Sequence, residues 1–515
     1  MNARTVIISP APTANGDLHL GHIAGPFLAA DVHTRYARAQ GREVLLGTGF
    51  QDTSTFVVTT AHRRGVPPAE LVANSAAQIE ASLAALGIGI DGYTGDDDRF
   101  TKWVVDFIGR LHSAGKLELR TMKFPYSART GQFLVDGFAS GNCPECLADC
   151  CAGLCESCGR LVAAGELIGV RSTLDPEDPV ELREADVLVL PVERYREQLR
   201  AHFEAHAAGI RPHMAQALAS MLARPLPDFP VTYPISWGIP VPFPEVPGQV
   251  VNPNAEPMAW SMHASALAAE ARGVAEGTED ALWLAGAGSE IVYFLGFDNI
   301  YPFAVSGPAM LLALGGTYEL PTRYLTNEFY ELDYRKFSTS RGHVIWSREL
   351  AAEVPRDLIR FHLAATSPEH QRTSFSRDAL AQVTETRLVG PWNRVADQVN
   401  RWVGLGPLPV SERAIRAAAR MDERFAASYE LAGFSLNRAA EAITEQLARL
   451  DNHEVTGADA GDFCFEVDRL LRAAAPVLID LAAQVFGSGP VPAPAVTGSF
   501  TPVALPRLRP AKAAR

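Results

Sequence analysis

A strand-like run, Thr5 to Ser9, leads straight into Pro12-Thr13-Ala14-Asn15-Gly16-Asp17-Leu18-His19-Leu20-Gly21-His22, and a helical pattern follows from about Leu18 to Gln40. A second strand-like stretch, Glu43 to Leu46, and a second helical one, Pro68 to Leu86, continue the alternation. Strand, helix, strand at this spacing is a βαβ unit, which commits the chain to a parallel, doubly wound sheet. In such sheets a phosphate site belongs at the first strand-to-helix turn. His19 and His22 fall there, on one face of the helix's first turns, where free backbone N–H groups and the dipole favour an anion. Far downstream, Lys336-Phe337-Ser338-Thr339-Ser340 supplies a lysine and hydroxyls that can close on the same anion.

Composition sets the outer limits. A chain of 515 residues with 47% hydrophobic content has room for roughly two to four domains with substantial cores. Its formal charge of −13 repels nucleic acid unless a local basic patch intervenes, which argues against tight nucleic-acid binding. There is no apolar stretch of membrane-spanning length and no charged n-region followed by an h-region, so no membrane partner and a cytoplasmic location are expected.

Six of the seven cysteines lie between Cys143 and Cys158. Cys143-Pro-Glu-Cys146 and Cys155-Glu-Ser-Cys158 form two Cys-x-x-Cys knuckles whose spacing suits tetrahedral thiolate binding of Zn2+. Cys150 and Cys151 sit between the knuckles, and either can replace a ligand or form a redox pair. Disulfides suit a secreted chain better than this one, and a degenerate knuckle without metal is the other alternative.

The cysteine cluster interrupts the α/β pattern. Residues 1–116 read as the first half of a Rossmann-like catalytic domain, 117–235 as a connective insertion that also carries a charged helical piece near Val192 to Ala223, and 236–325 as the second catalytic half. Residues 326–385 hold the Lys-x-Ser-x-Ser loop and a stem-contact region. A strand ending in Gly296-Phe297-Asp298 offers a carboxylate to a ribose, although Gly-x-Asp alone also fits a plain turn. From about Leu380 apolar residues recur at helical spacing (Val389, Trp392, Val395, Val399, Trp402), so 386–487 is expected to form an α-helical bundle with both tryptophans in its core. The Pro- and Ala-rich end, 488–515, reads as a disordered tail.

Thr13-Ala-Asn-Gly-x-Leu-His19-Leu-Gly21-His22 resembles the His-Ile-Gly-His signature of the class I aminoacyl-tRNA synthetases, and Lys336-Phe-Ser338-Thr339-Ser340 resembles their Lys-Met-Ser-Lys-Ser loop. Within that class the chain is similar to the methionyl type, through Ala14-Asn15-Gly16, the paired knuckles and Trp237-Gly-Ile-Pro-Val-Pro. The resemblance covers about residues 4–405. It implies ATP-dependent activation of a carboxylate to an aminoacyl adenylate and pyrophosphate, with ATP, Mg2+ and Zn2+ as cofactors. His19, His22 and Lys336 then stabilise the phosphate charge. Asn15, Gly21, Gly296, Asp298, Ser338 and Ser340 bind the nucleotide, Gly21 leaving room for adenine and Asp298 holding the ribose. Cys143, Cys146, Cys155 and Cys158 hold zinc.

The chain also departs from that pattern. Thr339 replaces the loop's second lysine, leaving Arg335 or Arg341 to compensate. On the amino-acid side, Ala11, Thr13, Asp52, Trp260, Asn299, Phe303 and Gly307 are the candidate residues. Ala11, Thr13, Phe303 and Gly307 differ from the family's pocket, with space for a bulkier group expected near Ala11 and Gly307. Asp52 is the expected partner of the substrate ammonium. Where the family reads an anticodon, Asp397 and Arg401 stand one turn apart, and an aspartate there repels nucleic acid. Together these features point to adenylation of an amino acid other than methionine, followed by transfer to tRNA or another acceptor, in a monomer or homodimer. A methionine–tRNA ligase of translation and a catalytically silent binding protein are the alternatives.

Overall fold

Five short, largely buried strands form the central sheet: β1 (Arg4–Ile8), β2 (Val44–Gly49), β3 (Gly92–Thr94), β4 (Ser289–Gly296) and β5 (Arg323–Asn327). Their order is β5-β4-β1-β2-β3, and every pairing is parallel, with Ile7 opposite Leu46 on one side and Val292 on the other. Parallel sheets are covered on both faces, which is why β1, β2 and β4 read as continuous hydrophobic runs instead of alternating. The chain winds from β1 to β3 on one side and then crosses to β4 on the other. The reversal lies between β1 and β4, where ligands settle at the carboxyl edge of such sheets. The computed structural model describes residues 4–95, 97–274, 277–337, 342–491 and 498–511.

The predicted helix from Leu18 to Gln40 is broken. Leu20–His22 is a single turn, Ile23–Phe27 is a π-helical bulge containing Gly25 and Pro26, and regular helix occupies only Leu28–Ala39. Proline removes one backbone donor and forces the bulge. A second bulge, Tyr301–Ser306 with Pro302, follows β4, so both segments leaving the switch point carry the same irregularity.

Between β3 and β4 the insertion opens with a long antiparallel pair, Glu118–Ser127 against Val180–Leu190. It carries the small cysteine-bearing strands at its tip and the helices Arg196–Ala205 and Pro212–Leu222 behind. A core of its own, including Phe124, Phe138, Cys143, Cys155 and Val187, holds that tip together.

The helices after Leu380 pack into the same hydrophobic cluster as one face of the sheet, with Phe27, Leu28 and Val292 joining Trp392, Leu436 and Leu470. Trp392 is buried as expected, and Trp402 is partly buried against that core. The tail departs from expectation. Ser499–Phe500 pairs with Leu408–Pro409, and Leu505 is buried. Trp392 Nε1 donates to the Pro506 carbonyl at 2.9 Å, while Asn393 and Asn400 bond the backbone of Leu508 and Leu505. Proline-rich chain without helix or sheet was expected to stay loose; here side-chain amides of the bundle satisfy its backbone, which composition does not reveal.

Candidate active site

The loop after β1 is fixed by its neighbours on both sides. Gln51, just past β2, donates to the Pro12 carbonyl and accepts from Ala14 N, making a bridge from Thr13 to Gln51. On the other side Leu20 N donates to the Ile345 carbonyl at 3.2 Å and Ser347 N to the Leu18 carbonyl at 3.0 Å. Residues more than 300 positions apart in sequence are thereby stitched together by backbone hydrogen bonds, and the segment carrying Lys336 is anchored beside His19.

His19 caps the single turn from an extended conformation instead of lying within it. Its Nδ1 accepts from Gly21 N at 3.1 Å, which leaves the proton of the neutral ring on Nε2, a donor. The rings of His19 and His22 lie 3.9 Å apart, and Phe337 stacks on the outer face of His19 at 4.5 Å and 3°. Gly21 is required for this packing: a Cβ there would come within 2.9 Å of the His19 ring and 3.4 Å of Phe337. In the direction a side chain would take from Gly21 lie the His19 ring and Phe337. Burial holds His19 well below the ordinary imidazole value, with the His22 and Lys336 charges adding to it, and burial holds His22 down at about 4. Both rings are therefore neutral at pH 7 and act as hydrogen-bond donors rather than cations.

Lys336 is paired with the carboxylate of Glu156, and its ammonium lies over the Phe329 ring, 5.3 Å from the centroid. Glu156 sits inside the second cysteine knuckle. Asp298, at the end of β4, feels both: burial raises its carboxyl to about 6, Glu156 pushes the same way, and Lys336 pulls against it. Asn299 donates to Asp298 at 3.2 Å, and Gly296 leaves room for that carboxylate, which would lie 2.5 Å from a Cβ. His19, His22, Lys336 and Asp298 thus converge at the switch point. Asn15 lies in the same loop, its N–H turned back to the Thr13 carbonyl. Ser338, Thr339, Ser340 and Arg341 lie outside the described residues, and Arg335 is exposed.

Of the residues expected to meet the amino acid, Asp52 lines a cleft of about 230 Å³ with Thr53, Phe100 and Trp237. Trp260 is buried, its Nε1 without a partner among the described residues, and Ala11 packs at the margin of the same core. Two expectations fail here. The room expected at Gly307 is taken: a Cβ there would lie 2.7 Å from Met258 Cε and 2.5 Å from the Pro302 carbonyl oxygen. Phe303 is buried edge-on against Tyr293, 5.0 Å between centroids, and so belongs to the core. Sequence reasoning also passed over Phe337, Glu156, Thr53 and Glu256, whose surroundings come from segments far away in the chain; only Phe337, inside the loop motif, carried any local signal.

The four sulfurs of Cys143, Cys146, Cys155 and Cys158 all lie within 4.8 Å of one another. Tetrahedral zinc with bonds of about 2.3 Å needs sulfurs roughly 3.8 Å apart. The separations of 3.9 Å for Cys143–Cys158 and 3.6 Å for Cys146–Cys155 match that requirement. Cys150 and Cys151 are not members of that tight group, although Cys150 lies beside the Cys155 thiol.

Residues 5–402 match the family described as tRNA synthetases class I (M). The chain belongs to that family. A methionine–tRNA ligase of Roseiflexus castenholzii is 32% identical over 405 residues, covering 77% of this chain and 68% of the relative. One from Chlorobium limicola is 30% identical over 386 residues, covering 72% of this chain, which spans about half (54%) of that relative's length. In fold, the Mycobacterium tuberculosis methionyl-tRNA synthetase bound by methionyl-adenylate superposes with a TM-score of 0.76 over 99% of both chains at 20% identity. For a class I synthetase of this type, a nucleotide site between β1 and β4 is where the doubly wound sheet places it. No helix among the described residues is long and apolar enough to cross a membrane.

Proposed function

We propose that the chain is an ATP-dependent aminoacyl-tRNA ligase, activating methionine as its relatives' names indicate. The convergence of His19, His22, Lys336 and Asp298 on one point of the sheet edge carries this reading. A carboxylate oxygen of the amino acid attacks the α-phosphorus of ATP, the bond to the β-phosphate oxygen breaks, and pyrophosphate leaves. Neutral imidazole N–H groups aimed at the phosphoryl oxygens, with a lysine at the leaving group, stabilise charge where it develops. Asp298 is suited to the ribose hydroxyls. Among the described residues the cysteine cluster is the one tightly gathered ligand group, so magnesium is expected to arrive on the triphosphate. Cys143, Cys146, Cys155 and Cys158 would hold zinc, and the knuckle so fixed would present Glu156 to Lys336.

The tRNA acceptor is supported by the names of the relatives, against the doubt raised by overall charge. Asp397, expected to repel nucleic acid, is paired with Arg507 at 3.1 Å, which offsets that repulsion.

A different amino acid is the second reading. It loses the space at Gly307 but gains a buried acid, Glu256, behind Thr53 of the cleft. ATP–pyrophosphate exchange over a panel of amino acids, with charging of tRNA, tests both. Exchange led by methionine supports the first reading, exchange led by another amino acid the second, and none with any amino acid rejects adenylation.

A further inference from the structure

The strand Tyr330–Leu332 turns back into Arg335–Lys336 through only two residues, Asp333 and Tyr334, with Leu332 opposite Arg335. Both turn residues have positive φ, 47° and 61°. That is the backbone of a tight hairpin turn, whose second position is normally glycine. Aspartate tolerates this region, whereas a bulky side chain in it is an outlier. The turn is held from outside: Asp333 N donates to the Phe375 carbonyl at 3.0 Å, and Tyr334 N to the Ser374 hydroxyl at 2.8 Å. The strained residue gains nothing from the core in return. Tyr334 is 87% exposed, the most exposed large apolar side chain among the described residues.

Neither packing nor turn propensity accounts for a tyrosine at this tip, and strain of this kind collects where a surface has work to do. Next to it in the chain, Arg335 is exposed and in no ion pair among the described residues. Arg372 lies 5.5 Å from the centroid of the Phe329 ring, on which Lys336 also sits. Acids temper these charges, with Glu156 against Lys336, Glu331 at 3.7 Å from Arg372 and Asp333 exposed at the tip. What distinguishes the hairpin is thus a free aromatic face beside guanidinium groups. An unpaired nucleobase suits that combination, the base stacking on the ring and its phosphate meeting a cation. Two residues of chain span at most about 7 Å, which keeps Tyr334 close to Lys336. The unpaired end of an acceptor RNA is the partner that must come this near an adenylate.

We propose that Tyr334 is a stacking platform for an unpaired base at the acceptor end of tRNA, with the neighbouring arginines drawing its phosphates. The proposal rests on the ligase reading, which supplies the RNA acceptor.

Fluorescence titration of the whole chain with a methionine tRNA transcript carrying 2-aminopurine in its unpaired 3′ end tests this, because stacking quenches that base. Quenching is expected with the wild type and Tyr334→Phe. In Tyr334→Ala it should be lost, with RNA affinity lower by about tenfold to a hundredfold, the range of one base–aromatic stack. Tyr334→Gly relieves the backbone, so it should raise the denaturant midpoint while losing the RNA to the same extent, which separates recognition from folding. The loss should appear in the KM for tRNA during charging and not in the KM for ATP during pyrophosphate exchange. Trimming the unpaired 3′ end from the transcript should erase the difference between wild type and Tyr334→Ala. Equal affinity of the two chains for the intact transcript, a difference that survives trimming, or a loss confined to the KM for ATP overturns the proposal. So does a dimer in solution that Tyr334→Ala dissociates, since a second copy of the chain would then be the occupant. Absence of exchange with every amino acid, while Tyr334-dependent quenching persists, removes the ligase reading alone.

Discussion

At the residue scale the proposed chemistry turns on two imidazoles kept neutral by burial. His22 titrates at about 4, so the folded state holds fewer protons on it than the unfolded chain between about pH 4 and the ordinary imidazole value. Stability linked to this ring is thus full above pH 6.5 and falls as pH drops toward 4, where the ring gains a charge rather than losing a donor. The exchange rate should show no limb near pH 6.5 from these rings, and a pH–rate profile with an apparent pKa of 6.5 that disappears in His22→Ala would contradict this. The same variant should lower exchange by about 100-fold or more, the usual cost of losing a donor to developing phosphate charge; an unchanged rate removes His22 from the mechanism. The pair was legible in the sequence as a motif. The capping role of His19, the stack of Phe337 and the need for Gly21 were not, because each depends on a partner that only the closed loop supplies.

At the scale of elements, the cysteine knuckle is both a fold and a support for the site. Its four thiol positions were readable from spacing alone, and the same spacing left Cys150 and Cys151 ambiguous; both lie on the short strand Asp149–Cys151, and Cys150 comes up beside the Cys155 thiol. Replacing Cys155 by Ser should lower bound zinc below half an equivalent per chain and raise the KM for ATP, because Glu156 loses its mount beside Lys336. Metal analysis with exchange kinetics checks this; full zinc content in the variant would rule out the ligand assignment. β3 and β5 escaped detection for a physical reason. β3 has three residues including a glycine, and β5, Arg-Tyr-Leu-Thr-Asn, shows neither a long apolar run nor clean alternation, so both are held by the sheet rather than by their own propensity. The helix from Leu18 failed at Pro26, which the pattern of apolar residues overrode.

Across the whole molecule, the nucleotide fold and the helical bundle are one body, tied by a buried ion pair. Arg360 donates to Asp31 at 2.6 Å, to the carbonyls of Val477 and Pro476, and to that of Leu86, and neither member of the pair is more than 2% exposed. Removing one partner of such a pair strands the other, so Arg360→Ala is expected to cost about 3–5 kcal/mol, read as a lowered denaturant midpoint; a loss under 1 kcal/mol would show that the two parts are held by apolar packing alone. The domain order was legible because motifs punctuate it, whereas the joining of the parts was not, since Asp31 and Arg360 are 329 positions apart and neither belongs to a motif. The segment after β1, the end of β4 and the Lys336 strand are proposed to serve a single nucleotide. In a crystal structure with the non-hydrolysable adenylate analogue methionyl sulfamoyl adenosine, the ribose is expected on Asp298 and the sulfamoyl oxygens within hydrogen-bond distance of His19 or His22; an analogue bound elsewhere, or with both histidines turned away from it, would overturn this reading.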